Sequence, residues 1–176
     1  KKIADEIKSL RNLCFDSKNR FLHNKLGWNF RITNIQAALG LGQLEKFDFF
    51  IKKKLYIGNL YNRYLRKIPG IQLPISKTSY AKNIFWVYGV VCIDKKIKSK
   101  IVVKELKKKG IDTRPFFVPM HKQDIFIKKG YFKNESYPIS EFLSSNGFYI
   151  PTGLDLSKKE LNYIANTIIN LISKIK

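Results

Sequence analysis

The sequence has few residues of the kinds that build disulfides, metal sites or membrane spans. Its two cysteines, Cys14 and Cys92, stand far apart, and neither has a neighbouring Cys or His at ligand spacing. Reduced thiols in the core of a cytosolic protein are the favoured interpretation, and no metal site is expected. No apolar run approaches the roughly 20 residues that cross a membrane, and no signal peptide is visible. We therefore expect a cytoplasmic protein without a membrane partner.

Acidic residues and arginine are also scarce. Lys and Arg total 34 against 13 Asp and Glu, which gives a formal net charge of +21. Such a charge is typical of nucleic-acid-binding proteins, but those proteins favour the forked guanidinium of arginine. Here the arginines are only Arg11, Arg20, Arg31, Arg63, Arg66 and Arg114. The lysines are scattered through the predicted helices, so we interpret them as solvated faces and expect no specific nucleic-acid partner.

The rest of the composition suits a folded domain. Hydrophobic residues make up 44% of the 176 residues, which is enough for one domain with a real core. Apolar residues at helical spacing predict a long helix from residue 34 to about residue 67, which Pro69-Gly70 ends. Gly40, Gly42 and Gly58 lie inside this helix and predict close packing or a bend.

The carboxy-terminal part of the sequence alternates helices and strands. A continuous aromatic and β-branched run over residues 85–93 predicts a buried strand, and Pro115 places a second strand, 112–118, at an edge or a bulge. Ser157 and Glu160 have the spacing of a capping box that begins the last helix. The other predicted elements are helices over 2–12, 99–109 and 138–145 and a strand over 148–150. Together they predict a small α/β domain attached to a long connecting helix.

A polar loop precedes the long helix. Gly27 allows a tight turn, Asn29 offers an amide, and Arg31 offers a guanidinium with several donors. Thr33 and Gln36 have capping-box spacing, so the helix begins directly after Thr33 and its free N–H groups follow the loop. A loop of this kind at a helix amino terminus can bind an anion.

This junction closely resembles the cofactor-proximal segment of the DegT/StrS-type sugar-nucleotide aminotransferases, which use pyridoxal phosphate (PLP). The similarity continues in the family's order through nearly all 176 residues. The matching segments are Arg11 to Leu13, Phe15 to Arg20, His23, Gln43 to Glu45, Trp86 to Gly89, Gly110 to Phe117, Pro119 to His121 and Gly147 to Pro151. Around residues 114–123 the sequence is most similar to the perosamine synthases, the branch that aminates a GDP-linked 4-keto-6-deoxy sugar.

The resemblance implies a type I aminotransferase fold, the PLP-dependent transferase fold. Residues 1–68 would then form the end of the large cofactor domain, a dimer-contact loop and the long connecting helix. Residues 69–176 would form the small α/β carboxy-terminal domain. The implied reaction moves an amino group from an amino acid, glutamate, through the cofactor to a nucleotide-linked keto-sugar, for surface polysaccharide or glycan synthesis.

The resemblance also implies that the chain is the carboxy-terminal part of the enzyme. In this family the lysine that forms the Schiff base with PLP belongs to an amino-terminal domain, and the only methionine here is Met120. We therefore expect no catalytic residue in this chain and no activity from it alone. Three other functions stay open: a sugar dehydratase of the same family, which replaces that lysine with histidine; a noncatalytic oligomerisation module; and a basic nucleic-acid-binding protein, which the shortage of arginine disfavours.

Asn29 and Arg31 are the expected cofactor-binding residues. The resemblance implies that Asn29 reaches across a homodimer interface to the PLP phosphate of the other subunit, with Arg31 close to the same site. The competing interpretations are that Asn29 satisfies its own turn and that Arg31 pairs with a surface carboxylate. His23, in the same region, is either structural or close to the site.

Arg114, Phe116, Phe117 and His121 are the expected substrate-binding residues. The resemblance implies that this segment lies beside a GDP-, UDP- or dTDP-linked sugar, where Arg114 binds phosphate bidentately and a phenyl ring lines the sugar or base pocket. His121 has a competing interpretation, because a lone histidine is commonly a packing residue. The positive charge of the chain favours such a doubly anionic ligand.

Overall fold

The computed structural model describes residues 1–15, 21–23 and 25–175, and it divides the chain into two compact units, Lys1–Phe47 and Asp48–Lys176. The segment 16–20, which belongs to the matched stretch from Phe15 to Arg20, lies outside the described residues. Within the described part, no helix is both long and apolar enough to cross a membrane. The predicted domain boundary after residue 68 stays a prediction.

In the first unit, the polar loop is tied to the end of helix α1 (Lys2–Arg11). The Trp28 N–H donates to the Leu10 carbonyl at 2.9 Å, and the Phe30 N–H donates to the Arg11 carbonyl at 3.0 Å. A Cβ added to Gly27 would lie 2.7 Å from the Cys14 backbone nitrogen, so only glycine permits this close approach. The loop that carries Asn29 is thereby held by its backbone on both sides.

The predicted capping box begins helix α2 (Asn34–Glu45). The Gln36 N–H donates to the Thr33 hydroxyl at 3.2 Å, and the Thr33 N–H donates to the Gln36 side-chain oxygen at 2.9 Å. None of the residues of α2 is buried, although its apolar residues include Ile35 and Leu39, which are 77% and 68% exposed. The sequence correctly predicts where this helix begins, but its apolar side is not covered.

The predicted continuous helix over residues 34–67 is interrupted. Helix α2 ends at Glu45, and helix α3 (Phe47–Leu65) begins after Lys46, whose N–H donates back to the Gln43 carbonyl at 3.2 Å. The interruption does not fall at Gly40 or Gly42, where an added Cβ would meet open space.

The second unit contains a four-stranded antiparallel sheet in the order β1-β2-β4-β3. The strands are β1 (Ile71–Gln72), β2 (Tyr88–Cys92), β3 (Arg114–Pro115) and β4 (Gly147–Ile150). Helices α4 (Ser99–Lys108), α5 (Asp124–Lys128), α6 (Pro138–Asn146) and α7 (Lys158–Ser173) and a 3₁₀ turn (Met120–Lys122) complete the unit. Pro115 lies in the edge strand β3, as the sequence predicts, because an edge tolerates a residue without an N–H group.

One face of the sheet packs into the core. The buried residues of this core come from α3, from alternate positions of β2 and β4, and from α4 and α7; they include Ile57, Leu60, Tyr61, Leu65, Tyr88, Val90, Cys92, Val102, Leu106, Phe148, Ile150, Leu161, Ile164, Ile168 and Ile172. Burial raises the pKa of the Cys92 thiol to about 11, which keeps it protonated and unreactive at neutral pH. The sheet's other face is the one that carries two of the predicted substrate residues, Arg114 and Phe116.

Candidate functional site

Strand pairing places two of the four predicted substrate residues, Arg114 and Phe116, on one face of the sheet. Arg114 pairs with Tyr149, which pairs with Gly89 on its other side. One row further on, the Phe116 N–H donates to the Gly147 carbonyl at 3.2 Å. Because side chains two positions apart on a strand point the same way, Arg114 and Phe116 share this face with Tyr149. The alternate residues of β4 point into the core instead.

The ring of Phe116 lies flat over two glycines. A Cβ added to Gly147 would come within 2.3 Å of this ring, and one added to Gly89 would come within 2.8 Å. The ring also stacks on Tyr149, with centroids 4.5 Å apart and an angle of 29° between the planes. The two glycines therefore provide a flat floor that holds Phe116 against Tyr149 and fixes an aromatic surface on the open face.

Arg114 lines a cavity of about 310 Å³ beside this aromatic pair. The other residues of its wall are Val87, Asp112, Thr113, Tyr149, Ile150, Pro151 and Thr152. Arg114 is exposed, and its side chain makes no hydrogen bond or ion pair with the residues that the structure describes. Its guanidinium donors are therefore available to an anion.

Lys54 on α3 holds two segments of that cavity wall. Its Nζ donates to the Thr152 carbonyl at 2.7 Å and to the Trp86 carbonyl at 3.0 Å. Burial lowers the pKa of Lys54, and no carboxylate offsets this effect. The ammonium thus fixes the chain before β2 and the chain after β4 in one place, where they flank Arg114.

A larger cavity of about 750 Å³ is lined by Phe116 and shares Tyr149 with the Arg114 cavity. Its wall is mostly apolar and aromatic and consists of Phe116, Phe117, Val118, Pro119, Met120, His121, Phe132, Tyr137, Ser140, Leu143, Ser144 and Tyr149. Phe117 is 81% exposed, so its ring is free to contact a ligand. Phe116, Phe117 and His121 thus line this cavity, whereas Arg114 lines the smaller one, and their role in substrate binding stays a prediction.

His121 differs from its neighbours because it is buried and paired. Its side chain is 5% exposed, and Nε2 donates to the Glu141 carboxylate at 2.8 Å. Its ring also contacts Tyr137, with centroids 4.8 Å apart. These contacts fit the packing interpretation, and they leave His121 in the cavity wall with Nε2 already occupied.

Glu141 connects this wall to three neighbours. The hydrogen bond from His121 lowers the pKa of Glu141 most, and the Tyr137 N–H and the Lys122 ammonium, 3.5 Å away, lower it further. A lowered carboxyl pKa means that the contacts stabilise the fold at neutral pH and are lost as the pH falls through that pKa.

Asn29 and Arg31 form a pair of their own in the first unit. The Arg31 Nε donates to the Asn29 side-chain oxygen at 2.9 Å, and both residues are exposed. This bond orients the Asn29 amide and occupies its oxygen as an acceptor. The Asn29 amide nitrogen and the two terminal nitrogens of Arg31 have no acceptor among the described residues. These remaining groups are all donors, which is the set that a phosphate group needs.

His23 makes a structural contact in the same unit. Its Nδ1 donates to the Leu13 carbonyl at 2.7 Å, and its ring packs against Phe15 with centroids 5.0 Å apart. Of the two interpretations that the sequence left open, these contacts support the structural one.

Three residues of the site were not identified from the sequence. Tyr149 lies in one of the segments that match the family. The alternation of side chains along β4 could have identified it, because Tyr149 points away from the face that buries Phe148 and Ile150. Glu141 and Lys54 gave no local signal, because their partners lie 20 and 98 residues away in the sequence.

Comparison with known proteins identifies the family. The chain is 31% identical over 175 residues to the GDP-perosamine synthase of Escherichia coli O157:H7, covering 94% of this chain and 45% of that protein. PseC of Helicobacter pylori, an aminotransferase involved in the biosynthesis of pseudoaminic acid, superposes with a TM-score of 0.86 at 21% identity, covering 98% of this chain and 47% of that one. Spr1654 of Streptococcus pneumoniae in its PLP form superposes with a TM-score of 0.86 at 20% identity, covering 99% and 44%.

These superpositions confirm the predicted α/β aminotransferase fold. The chain spans about half the length of the curated relatives it matches. The family model for the DegT/DnrJ/EryC1/StrS aminotransferases matches residues 1–169. On this evidence the chain belongs to the DegT/DnrJ/EryC1/StrS aminotransferase family.

Proposed function

We propose that this chain is the carboxy-terminal part of a PLP-dependent aminotransferase that transfers an amino group from glutamate to the keto carbon of a nucleotide-linked sugar. The observation that carries the proposal is the open face of the sheet, where the free guanidinium of Arg114 lies beside the stacked rings of Phe116 and Tyr149. A cation next to an aromatic surface suits a ligand with a pyrophosphate and a flat base. The GDP-perosamine synthase relative supports the same substrate class.

The donors at Asn29 and Arg31 fit the phosphate of PLP. The Arg31–Asn29 bond orients both side chains, which reduces the entropy lost when they bind a phosphate. PLP supplies the carbonyl that accepts the amino group and acts as an electron sink. Asn29 and Arg31 would hold its phosphate and so fix the position of its ring. We place this contact across a homodimer interface, so that the loop of one subunit completes the site of the other.

On the substrate side, each residue has a separate role. Arg114 binds the pyrophosphate, and Phe116 with Phe117 lines the pocket for the sugar or base. His121 shapes the wall of that pocket through its contact with Glu141. The Lys54 ammonium keeps the chain on both sides of Arg114 in place, so that the guanidinium meets a preformed cavity.

The chemical step requires a part of the enzyme that we assign to the amino-terminal domain. The lysine that forms the Schiff base belongs there, so we expect this chain alone to catalyse no transamination. We place the complete enzyme in the cytoplasm, where it would serve surface polysaccharide or glycan synthesis.

The substitution Arg114→Ala in the intact enzyme tests this function. A charged hydrogen bond to phosphate contributes about 1.5–3 kcal/mol, so we expect the KM for the sugar nucleotide to rise roughly ten- to a hundredfold. The half-reaction with glutamate should be nearly unchanged, because that substrate lacks the pyrophosphate. The cofactor absorbance follows the two half-reactions separately.

Lys100→Ala is the matched control, because it removes one exposed positive charge from α4 without touching either cavity. We expect its KM to stay within about twofold of the parent enzyme, since a single exposed charge contributes little. An equal loss of rate in both half-reactions of Arg114→Ala would show that Arg114 acts on the cofactor or the fold and would refute the assignment.

A further inference from the structure

A second positively charged cavity lies between α3 and the chain that follows β1. It measures about 480 Å³, and its wall consists of Asn59, Asn62 and Arg63 of α3, Arg66 directly after α3, and Leu73, Pro74 and Ser76 of the chain that follows β1. It shares no wall residue with the Arg114 cavity or with the aromatic cavity. A third cavity of about 430 Å³ lies between them, because it shares Leu73 and Pro74 with this cavity and Phe116 and Tyr149 with the substrate site proposed above.

Both cations of this cavity are arginines without a partner. Arg63 lies in the last turn of α3, and Arg66 follows directly after its end, where the Arg66 N–H donates to the Asn62 carbonyl at 3.1 Å. Because this bond continues the helical pattern, residues three positions apart here lie on the same side. Neither arginine side chain makes a hydrogen bond or ion pair with any residue that the structure describes, and no carboxylate is among the wall residues. The sequence uses lysine at most of its 34 basic positions, yet both basic residues here carry the planar fork that binds phosphate bidentately.

The polar wall between these arginines and the core is fixed in place. The buried Tyr88 hydroxyl donates to the Asn62 side-chain oxygen at 2.6 Å, and the Asn62 amide donates to the Ser76 hydroxyl oxygen at 3.0 Å. The Ser76 hydroxyl proton is then free to point into the cavity. The Asn83 N–H donates to the Ser76 carbonyl at 3.0 Å and holds this segment from the other side.

We propose that this cavity is an accessory binding site for a phosphate or pyrophosphate group of a small-molecule ligand. Two guanidinium groups and one hydroxyl line it, all of them donors, and the Asn62 contacts hold Ser76 in place before any ligand binds. The cavity volume of about 480 Å³ is large enough for a pyrophosphate. None of its wall residues has a role in the amino-transfer reaction proposed above.

The test follows the arginine side-chain Nε–Hε signals of the intact protein by NMR with ¹⁵N-labelled arginine. Arg63→Lys and Arg66→Lys each assign one signal by its loss. Sodium phosphate and sodium pyrophosphate are titrated against sodium chloride of equal ionic strength. We expect saturable shifts of the Arg63 and Arg66 signals with both oxyanions, stronger with pyrophosphate, and no saturation with chloride.

Variants separate this site from nonspecific screening and from the proposed substrate site. Arg63→Gln or Arg66→Gln should weaken binding about tenfold or more, as expected for a lost charged hydrogen bond, while Lys67→Gln, an exposed neighbour outside the cavity, should change it less than twofold. Arg114→Gln should leave the Arg63 and Arg66 response intact. Shifts that grow linearly and match those of the exposed Arg11 would show screening alone and overturn the proposal.

Discussion

Neighbouring residues of the loop after β3 are held in opposite ways. Phe117 is exposed on the cavity, whereas His121, four residues later, is buried against Tyr137 and hydrogen-bonded to Glu141. The first is free to meet a ligand, and the second determines the shape of the wall that the ligand meets.

His121→Ala should therefore change stability more than binding. The substitution removes a buried ring and the hydrogen bond from that ring to Glu141, so we expect the free energy of unfolding to fall by about 1–3 kcal/mol. We expect the KM for the sugar nucleotide to rise, but by less than in Arg114→Ala. Urea denaturation and steady-state kinetics of the intact enzyme measure the two effects.

Lys122→Ala serves as the control, because Lys122 contacts the same carboxylate from an exposed position. Its effect on the free energy of unfolding should stay within about 0.5 kcal/mol. If His121→Ala kept full stability and raised the KM as much as Arg114→Ala, His121 would be a direct ligand of the substrate.

At this scale, local spacing determines the direction of side chains, but long-range packing determines their partners. Arg114 and Phe116 are two positions apart along an extended segment, so a common face follows from the period of two. That Tyr149 pairs with Arg114 and stacks on Phe116 depends on the pairing of β3 with β4, and that Glu141 binds His121 depends on where α6 packs. Such long-range contacts leave no local pattern.

Helices begin at the predicted residues where side chains cap the helix amino terminus. The two capping boxes, at Thr33 and Ser157, begin α2 and α7 at the predicted positions, because each satisfies free N–H groups with side chains three residues apart. The predicted strand over residues 85–93 is shorter, since Phe85 has a φ of 55° and donates its N–H to the Asn83 side chain.

Two other predicted elements, the strand over 112–118 and the continuous helix over 34–67, differ from the structure. The strand expected over 112–118 is reduced to Arg114–Pro115, followed by one further bond from the Phe116 N–H to β4, because the missing N–H of Pro115 limits the edge and β4 has only four residues. The sequence does not mark the interruption at Lys46. The apolar stretches on both sides continue the same helical period, and no proline or glycine stands beside Lys46.

Substitution of Gly58 tests how closely α3 packs on the core. A Cβ added here would lie 2.2 Å from the ring of Phe85, which is itself buried and stacked near Tyr88. Gly58→Ala gains up to about 1 kcal/mol in helix propensity but overpacks the core, which costs about 1–3 kcal/mol and sometimes more. We expect net destabilisation of the intact enzyme in urea.

Lys52→Ala, an exposed position of the same helix, should change the free energy of unfolding by no more than about 0.5 kcal/mol. A Gly58→Ala protein as stable as its parent would mean that Phe85 has room to move, and the close packing of α3 on Phe85 would not be a constraint.

For the whole molecule, the exposed apolar residues of the first unit fit the proposed homodimer. Trp28 and Phe30 stack in parallel at 6.2 Å and are 51% and 72% exposed, and α2 buries none of its residues. Exposed apolar surface of this extent is typical of a subunit interface. The Asn29 loop belongs to the same surface.

The homodimer gives a complementation prediction. An Asn29→Ala subunit keeps its own upstream lysine, and a subunit without that lysine keeps its own Asn29 loop. Mixing the two inactive enzymes should restore one good site in each mixed dimer, because we propose that Asn29 acts on the neighbour's cofactor. Activity per confirmed heterodimer measures this; mixed dimers without activity would rule out the contact across the interface.

The central claim is that the intact enzyme moves nitrogen from glutamate to a nucleotide-linked sugar, and isotope transfer tests it most directly. The enzyme is incubated with PLP, ¹⁵N-labelled glutamate and a GDP-linked 4-keto-6-deoxy sugar, and the nucleotide sugar is analysed by mass spectrometry. We expect an amino sugar that carries the ¹⁵N label, with 2-oxoglutarate formed in equal amount. Loss of water from the sugar without incorporation of ¹⁵N would identify a dehydratase, and an unchanged sugar in the presence of bound PLP would contradict the assigned substrate class.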